Sequence, residues 1–274
     1  YDPARLPQPD LVVVAVKATA LPRIAPGVRR LLTPGTVVLS VLNGIQWWFF
    51  SGLPGQAGRL RPRSVDPTGS LAANIPVEQV LGGVLHLSAA CPEPGTVVHG
   101  SGEGIIVGDP AGGPPDERVV RVADVLSRGG FQVELSERIQ RDVWFKLWGN
   151  LTMNPLSAVT GATLDRILDD PLVRDFAGRC MREAAEVGAR LGLPIDVDPE
   201  ERHAVTRRLG PVKTSMLQDV ENGRPVEIDA LVTVVKELAE LVGVATPNID
   251  ALLGVTRLHA RVRGLYPDPD RDPD

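Results

Sequence analysis

The sequence is short of several residue types, and each shortage excludes a class of protein. Among 274 residues there are two cysteines, Cys91 and Cys180, far apart and outside any CxxC pair. That excludes a disulfide framework and a cysteine-held zinc site, and it fits a reducing cytoplasmic compartment. The four histidines, His86, His99, His203 and His259, show neither metal spacing nor a hydrolase pattern. No apolar run is long enough to span a bilayer, and no secretory leader is visible. Charge of one sign is also scarce. The net charge is −5 with acids and bases well mixed, which argues against a general nucleic-acid or membrane-surface binder. Lysine is rarest among the charged residues. Lys17, Lys146, Lys213 and Lys236 stand against 25 arginines, so each lysine invites a reason.

What is present is a large apolar fraction, 43%, enough for one large domain or two ordinary ones. "YDPARLPQPD" (1–10) reads as loop. "LVVVAVKA" (11–18) and "TVVLSVLNG" (36–44) are continuous apolar runs, expected as parallel strands buried on both faces. A short helix is expected between them, around 20–32, completing a βαβ unit. Lys17 and Asn43 fall at the carboxyl ends of the two runs, the edge where open α/β sheets bind ligands. For Asn43 the alternative is an ordinary Asn-Gly turn. Short strands are expected at 80–90, 95–99 and 104–108, then a helix at 117–128 and a strand at 131–136. "GSGEG" (100–104) is not GxGxxG, because position 105 is isoleucine, and it is expected to be a hairpin turn.

From about Arg138 the periodicity turns helical, with helices expected near 139–159, 171–191, 199–208, 227–243 and 248–263. Gly192 and Gly243 stand where helix C-caps belong, with Pro194 and Pro247 close behind. The expected organisation is therefore an α/β domain over 1–138, an all-α domain over 139–265 and a disordered acidic tail, "YPDPDRDPD", over 266–274.

"KLWGNLTMNP" (146–155) is the most informative stretch. Lys146, Asn150 and Asn154 recur at i, i+4 and i+8, within a stripe roughly 80° wide on a helix. Their neighbours are Trp144, Phe145, Leu147, Trp148, Leu151 and Met153. One reading is an amphipathic core helix whose Lys146 snorkels to water. The two asparagines and Pro155 weigh the other way, since buried amides need partners and Pro155 frees the carbonyl of Leu151. These costs point to a polar cleft, in which a lysine can serve as a cationic acid toward a carbonyl oxygen. A second stretch, "KTSMLQDVENGRPVEIDAL" (213–231), places Glu227 and Asp229 in the first turn of a helix. Helix-dipole stabilisation is the alternative reading of both acids.

Several blocks resemble the ketopantoate reductases (2-dehydropantoate 2-reductases). They are "DLVVVAVKA", "TVVLSVLNGI", "WFKLWGNLTMNPLSAVTG" and "KTSMLQDVENGRPVEIDAL" followed by "GVATP". "NGIQWWFF" and "SVDPTGS" resemble one branch of that family, with Gln46 where that branch has proline. The resemblance implies a Rossmann-type domain followed by a helical domain, with the active site between them. It implies NADPH-dependent reduction of ketopantoate to pantoate in pantothenate synthesis. Lys146 then matches the catalytic general acid and Glu227 the acid that positions substrate and lysine. Asn150, Asn154 and Ser215 match substrate contacts, Asn43 a residue near both nicotinamide and substrate, and Lys17 a cofactor-side lysine. The partner is a small 2-keto acid, and a monomer or homodimer is expected.

The family opens with strand, GxGxxG and helix, a pattern not found in these residues. On the resemblance, the first strand here corresponds to the family's fourth, and roughly 55–65 residues are expected to be missing before Tyr1, judged from the usual βαβ unit length. The dinucleotide phosphate loop would lie in that part, and the 274-residue chain is expected to bind NADPH weakly or not at all. Two alternatives stand beside the leading reading. One is a reductase of another 2-keto acid or carbonyl compound, with Trp47 and Trp48 reshaping the cleft mouth. The other is a non-catalytic remnant acting as a binding module.

Overall fold

A computed structural model describes residues 6–268. The chain divides into two compact units, one of residues 1–61 and 68–143, the other of Pro62–Pro67 and Trp144 onward.

The first unit is built on a five-stranded sheet in the order β1 (Leu11–Val14), β2 (Val37–Ser40), β3 (Val80–Glu93), β4 (Thr96–Gly108), β5 (Gln132–Ser136). Strands β1, β2 and β3 are parallel, β4 runs against β3, and β5 lies parallel to β4. Helix α1 (Leu21–Arg29) makes the crossover from β1 to β2, as the two apolar runs predict. Alternate residues of the strands, among them Val37, Leu39, Leu81, Ile105 and Val107, form a core with Val119 and Val122 of α3 (Glu117–Arg128). The short helix α2 spans Ser70–Asn74.

Three expectations for this unit need correction. Strand β2 is buried throughout, but β1 is not, since Val13 is 51% exposed. Among the described residues β1 pairs with β2 alone, so its apolar run faces a neighbour on one side only. The segments 95–99 and 104–108 are one strand, and "GSGEG" lies inside it. The hairpin turns instead at Pro94–Gly95, between the paired residues Glu93 and Thr96. Gly102, at φ 73°, sits in a bulge where the register shifts between His86 and Ser88. A glycine in this left-handed conformation reads like a turn in sequence but serves here as a strand irregularity.

The second unit is helical. Its elements are α4 (Ile139–Thr160, beginning in the first unit), α5 (Leu164–Asp169), α6 (Pro171–Arg190), α7 (Pro199–Arg207), α8 (Ser215–Glu221), α9 (Val234–Val242) and α10 (Pro247–Val262). Helix α4 is apolar on nearly every side, with Trp144, Leu147, Trp148, Leu151 and Met153 all buried. Such a helix belongs in a core and not on a surface. It packs close to α6. The Trp148 indole donates to the Met181 carbonyl at 2.6 Å, and a Cβ added at Gly188 would lie 2.2 Å from Trp144 Nε1. Gly243 caps α9 at φ 72° with Pro247 opening α10, as the sequence predicts.

The expected helix at 227–243 is not uniform. Glu227 precedes it, and Asp229–Thr233 form a π-helical turn before α9. Tyr266, assigned above to the tail, is ordered by its hydrogen bond to Asp229, whereas 269–274 lie outside the described residues.

Candidate active site

In the second unit α4 carries the polar stripe. Lys146 and Asn150 are half-buried and Asn154 is buried. Burial pushes the Lys146 ammonium down from its ordinary value to about 8, while the charge of Glu227 pulls it back up. Desolvation favours the neutral amine, and an adjacent carboxylate favours the cation. The balance leaves a lysine that is mostly protonated at neutral pH yet able to release its proton. Glu227 itself is buried, 6% exposed, in the segment between α8 and the π turn. Asn150 and Asn154 follow Lys146 at successive turns of the same helix.

Ser215 is placed less decisively. It opens α8, exposed, next to Thr214, whose hydroxyl caps the helix by accepting from Leu217 N at 3.2 Å. It makes no interaction with Lys146 or Glu227 among the described residues. Asp229 is structural: its Oδ1 accepts from Thr233 Oγ1 at 2.8 Å and from the Tyr266 hydroxyl at 2.7 Å.

In the first unit Lys17 and Asn43 lie at corresponding places. Val14 pairs with Ser40 as the last couple of β1 and β2, and each site residue stands three positions beyond. Both are therefore at the carboxyl edge of parallel strands, and both are half-buried. The Asn43 turn is fastened by Gln46. Its Nε2 donates to the Leu42 carbonyl at 2.9 Å, while its Oε1 accepts from Ser40 Oγ and, at 2.9 Å, from Trp48 Nε1. Gly44, at φ 79°, supplies the left-handed turn that this clasp closes. Sequence reasoning noted Gln46 as a departure from proline but missed its work. Replacing it with methionine strands two buried donors and a carbonyl. Urea denaturation is expected to show Gln46→Met less stable by about 2 kcal/mol, within the range for unsatisfied buried groups.

The tryptophans beside that turn also need correction. Trp47 is 5% exposed and donates to the Ile75 carbonyl at 3.0 Å, and Trp48 is fully buried. They belong to the core of the first unit and cannot reshape a cleft mouth. Among the described residues no cluster of three or more His, Cys, Asp and Glu side chains could hold a metal ion. Nor is any described helix long and apolar enough to cross a membrane.

A mixed α/β sheet unit followed by a helical unit is an architecture found among two-domain oxidoreductases. The comparisons with known proteins agree. The family model for ketopantoate reductase PanE/ApbA matches residues 1–112, and that for its C-terminal domain matches 138–260. The chain belongs to the ketopantoate reductase family. It is 39% identical over 257 residues to a 2-dehydropantoate 2-reductase of Mesorhizobium japonicum, covering 94% of this chain and 78% of that one. The crystal structure of a candidate ketopantoate reductase from Ralstonia solanacearum MolK2 is 53% identical, with a TM-score of 0.92, over 97% of this chain and 81% of that one. The fold also resembles D-mandelate dehydrogenase solved with NADH and anilino(oxo)acetate. That match is 22% identical with a TM-score of 0.78, over 96% of this chain and 80% of that one.

Proposed function

We propose that this protein catalyses the NADPH-dependent reduction of 2-dehydropantoate to pantoate, with Lys146 as general acid and Glu227 as the acid that sets it. The observation that carries this reading is the charge of the buried Glu227 acting on Lys146, with Asn150 and Asn154 one and two turns along the Lys146 helix. A nicotinamide cofactor would supply hydride to the keto carbon. Lys17 and Asn43 fit a dinucleotide, because they occupy the carboxyl edge of parallel strands where such ligands bind.

The chain's own part follows from its chemistry. The Lys146 ammonium donates a hydrogen bond to the keto oxygen and draws charge toward it. As negative charge grows there, the same N–H delivers its proton, leaving neutral lysine and a hydroxyl. Glu227 holds the ammonium charged until that moment. Asn150 and Asn154 present amides to the polar substituents of a 2-keto acid, and the Ser215 hydroxyl is suited to donate to its carboxylate.

A second reading keeps this chemistry with a different 2-keto acid. It is favoured by the shared fold of a D-mandelate dehydrogenase, a protein crystallised with an aryl-substituted oxo acid. Both readings are tested with protein purified from its complete coding sequence, by following NADPH absorbance with ketopantoate beside an aryl 2-keto acid. Turnover of ketopantoate with the larger kcat/KM supports the first reading, and the reverse order supports the second. Failure to bind NADPH would sink both.

A further inference from the structure

Glu227 lies in a segment that its own secondary structure does not hold. It follows the turn at Asn222–Gly223, precedes the helical residue Ile228 and leads into the π turn at Asp229–Thr233. A π turn breaks the regular hydrogen-bond spacing of a helix, and such turns recur at functional sites. The chain on either side of Glu227 is therefore held by contacts with residues remote in sequence. Two contacts do this, one on each side. The N–H of Val226, the residue before, donates to the Leu265 carbonyl at 3.1 Å. Asp229, two residues after, accepts from the Tyr266 hydroxyl at 2.7 Å. Both anchors belong to two consecutive residues, Leu265 and Tyr266, in the short segment after α10.

That short segment is itself well held. Gly264, at φ 67°, turns the chain back after α10, and Leu265 N donates to the Ala260 carbonyl at 2.9 Å. The Leu265 side chain is buried. The Arg261 guanidinium lies 5.7 Å from the centre of the Tyr266 ring and donates through Nε to the Pro267 carbonyl at 3.1 Å. Burial and the Asp229 carboxylate push the Tyr266 phenol up, so it stays a neutral donor at physiological pH. Asp229 thus keeps two hydroxyl donors on one oxygen, Thr233 from within the π turn and Tyr266 from the C-terminal segment.

We infer that Leu265 and Tyr266 form a positioning strap that aims Glu227 at Lys146, so that the segment after α10 is part of the reaction apparatus. This rests on the functional reading above for its link to turnover. The strap itself can be tested without turnover, because the charge of Glu227 acts on Lys146 whatever the substrate.

The experiment is a direct titration of Lys146. With only four lysines in the sequence, reductive ¹³C-methylation and NMR resolve it, and loss of one signal in Lys146→Arg assigns it. Glu227→Gln sets the full effect of losing the charge. Tyr266→Phe removes one hydroxyl and is expected to lower the Lys146 pKa by roughly half a unit, in the same direction as Glu227→Gln. It is also expected to lower kcat several-fold with KM little changed. Thr233→Val is the structural control, since it removes the other donor to Asp229 and leaves the strap in place. If Tyr266→Phe does not fold, Asp229→Asn carries the test by weakening the acceptor of the phenol. A Lys146 titration unmoved by either variant, while Glu227→Gln moves it, would overturn the strap. A shifted titration in a protein without activity on ketopantoate would keep the strap and remove the proposed substrate.

Discussion

Lys146→Ala is expected to lower kcat for ketopantoate reduction about a thousandfold with folding intact, as measured by NADPH oxidation under saturating substrate. General acid catalysis is worth roughly 10²–10⁴ in rate, and this lysine also stabilises the oxyanion as it forms. KM should rise far less, because the bond to the keto oxygen strengthens as charge develops there. The pH dependence identifies the group. With Lys146 near 8, reduction should fall tenfold per pH unit above that value, since the cation is the active form. Oxidation of the hydroxy acid needs neutral lysine and should rise toward the same pH. Both limbs should vanish in the alanine variant.

The same shift predicts a stability effect of opposite sense. The folded-state pKa lies below the ordinary value of 10.5, so between about 8 and 10.5 the unfolded chain holds a proton that the folded chain has lost. Stability therefore rises with pH across that window, by up to about 3 kcal/mol at 1.36 kcal/mol per unit. Below pH 8 the full cost of burying the cation is present. Lys146→Met should then raise Tm at pH 7 while abolishing turnover, the trade expected where a site is built at the expense of stability.

Much of this could be read from residue patterns because the patterns have local causes. The apolar run at 36–44 gave a buried strand and a turn at Asn43-Gly44, and the spacing of Lys146, Asn150 and Asn154 placed three polar groups on one helix. What could not be read depends on contacts remote in sequence or made by backbone. Pro62–Pro67 pack with the helical unit because Glu237 accepts from Arg63 N at 2.6 Å, Ser64 N at 3.0 Å and Ser64 Oγ at 2.7 Å. Two of those donors are main-chain groups, which leave no side-chain signature. Trp47 and Trp48 looked like cleft residues because they follow Asn43, yet their indole N–H groups find partners inside the first unit. Tyr266 was hidden by the acidic, proline-rich composition around it. Its signal, an amphipathic aromatic just behind a glycine that turns the chain, was outweighed by its neighbours.

Glu227→Gln should lower kcat about a hundredfold at pH 7, and its pH dependence separates the two roles the acid could have. Removing the carboxylate leaves desolvation unopposed at Lys146, so the basic limb must move below pH 8. If Glu227 acts only by keeping the lysine charged, lowering the pH through the shifted limb restores the protonated form and the lost rate in step. If it also holds the substrate, a pH-independent deficit persists after the lysine is fully protonated, because an amide is a weaker acceptor than a carboxylate. The double variant Lys146→Ala/Glu227→Gln decides whether the pair is a unit. Without the lysine there is no ammonium for the acid to set, so the second substitution should cost little more than the first. Additive losses would mean that Glu227 works on something other than Lys146.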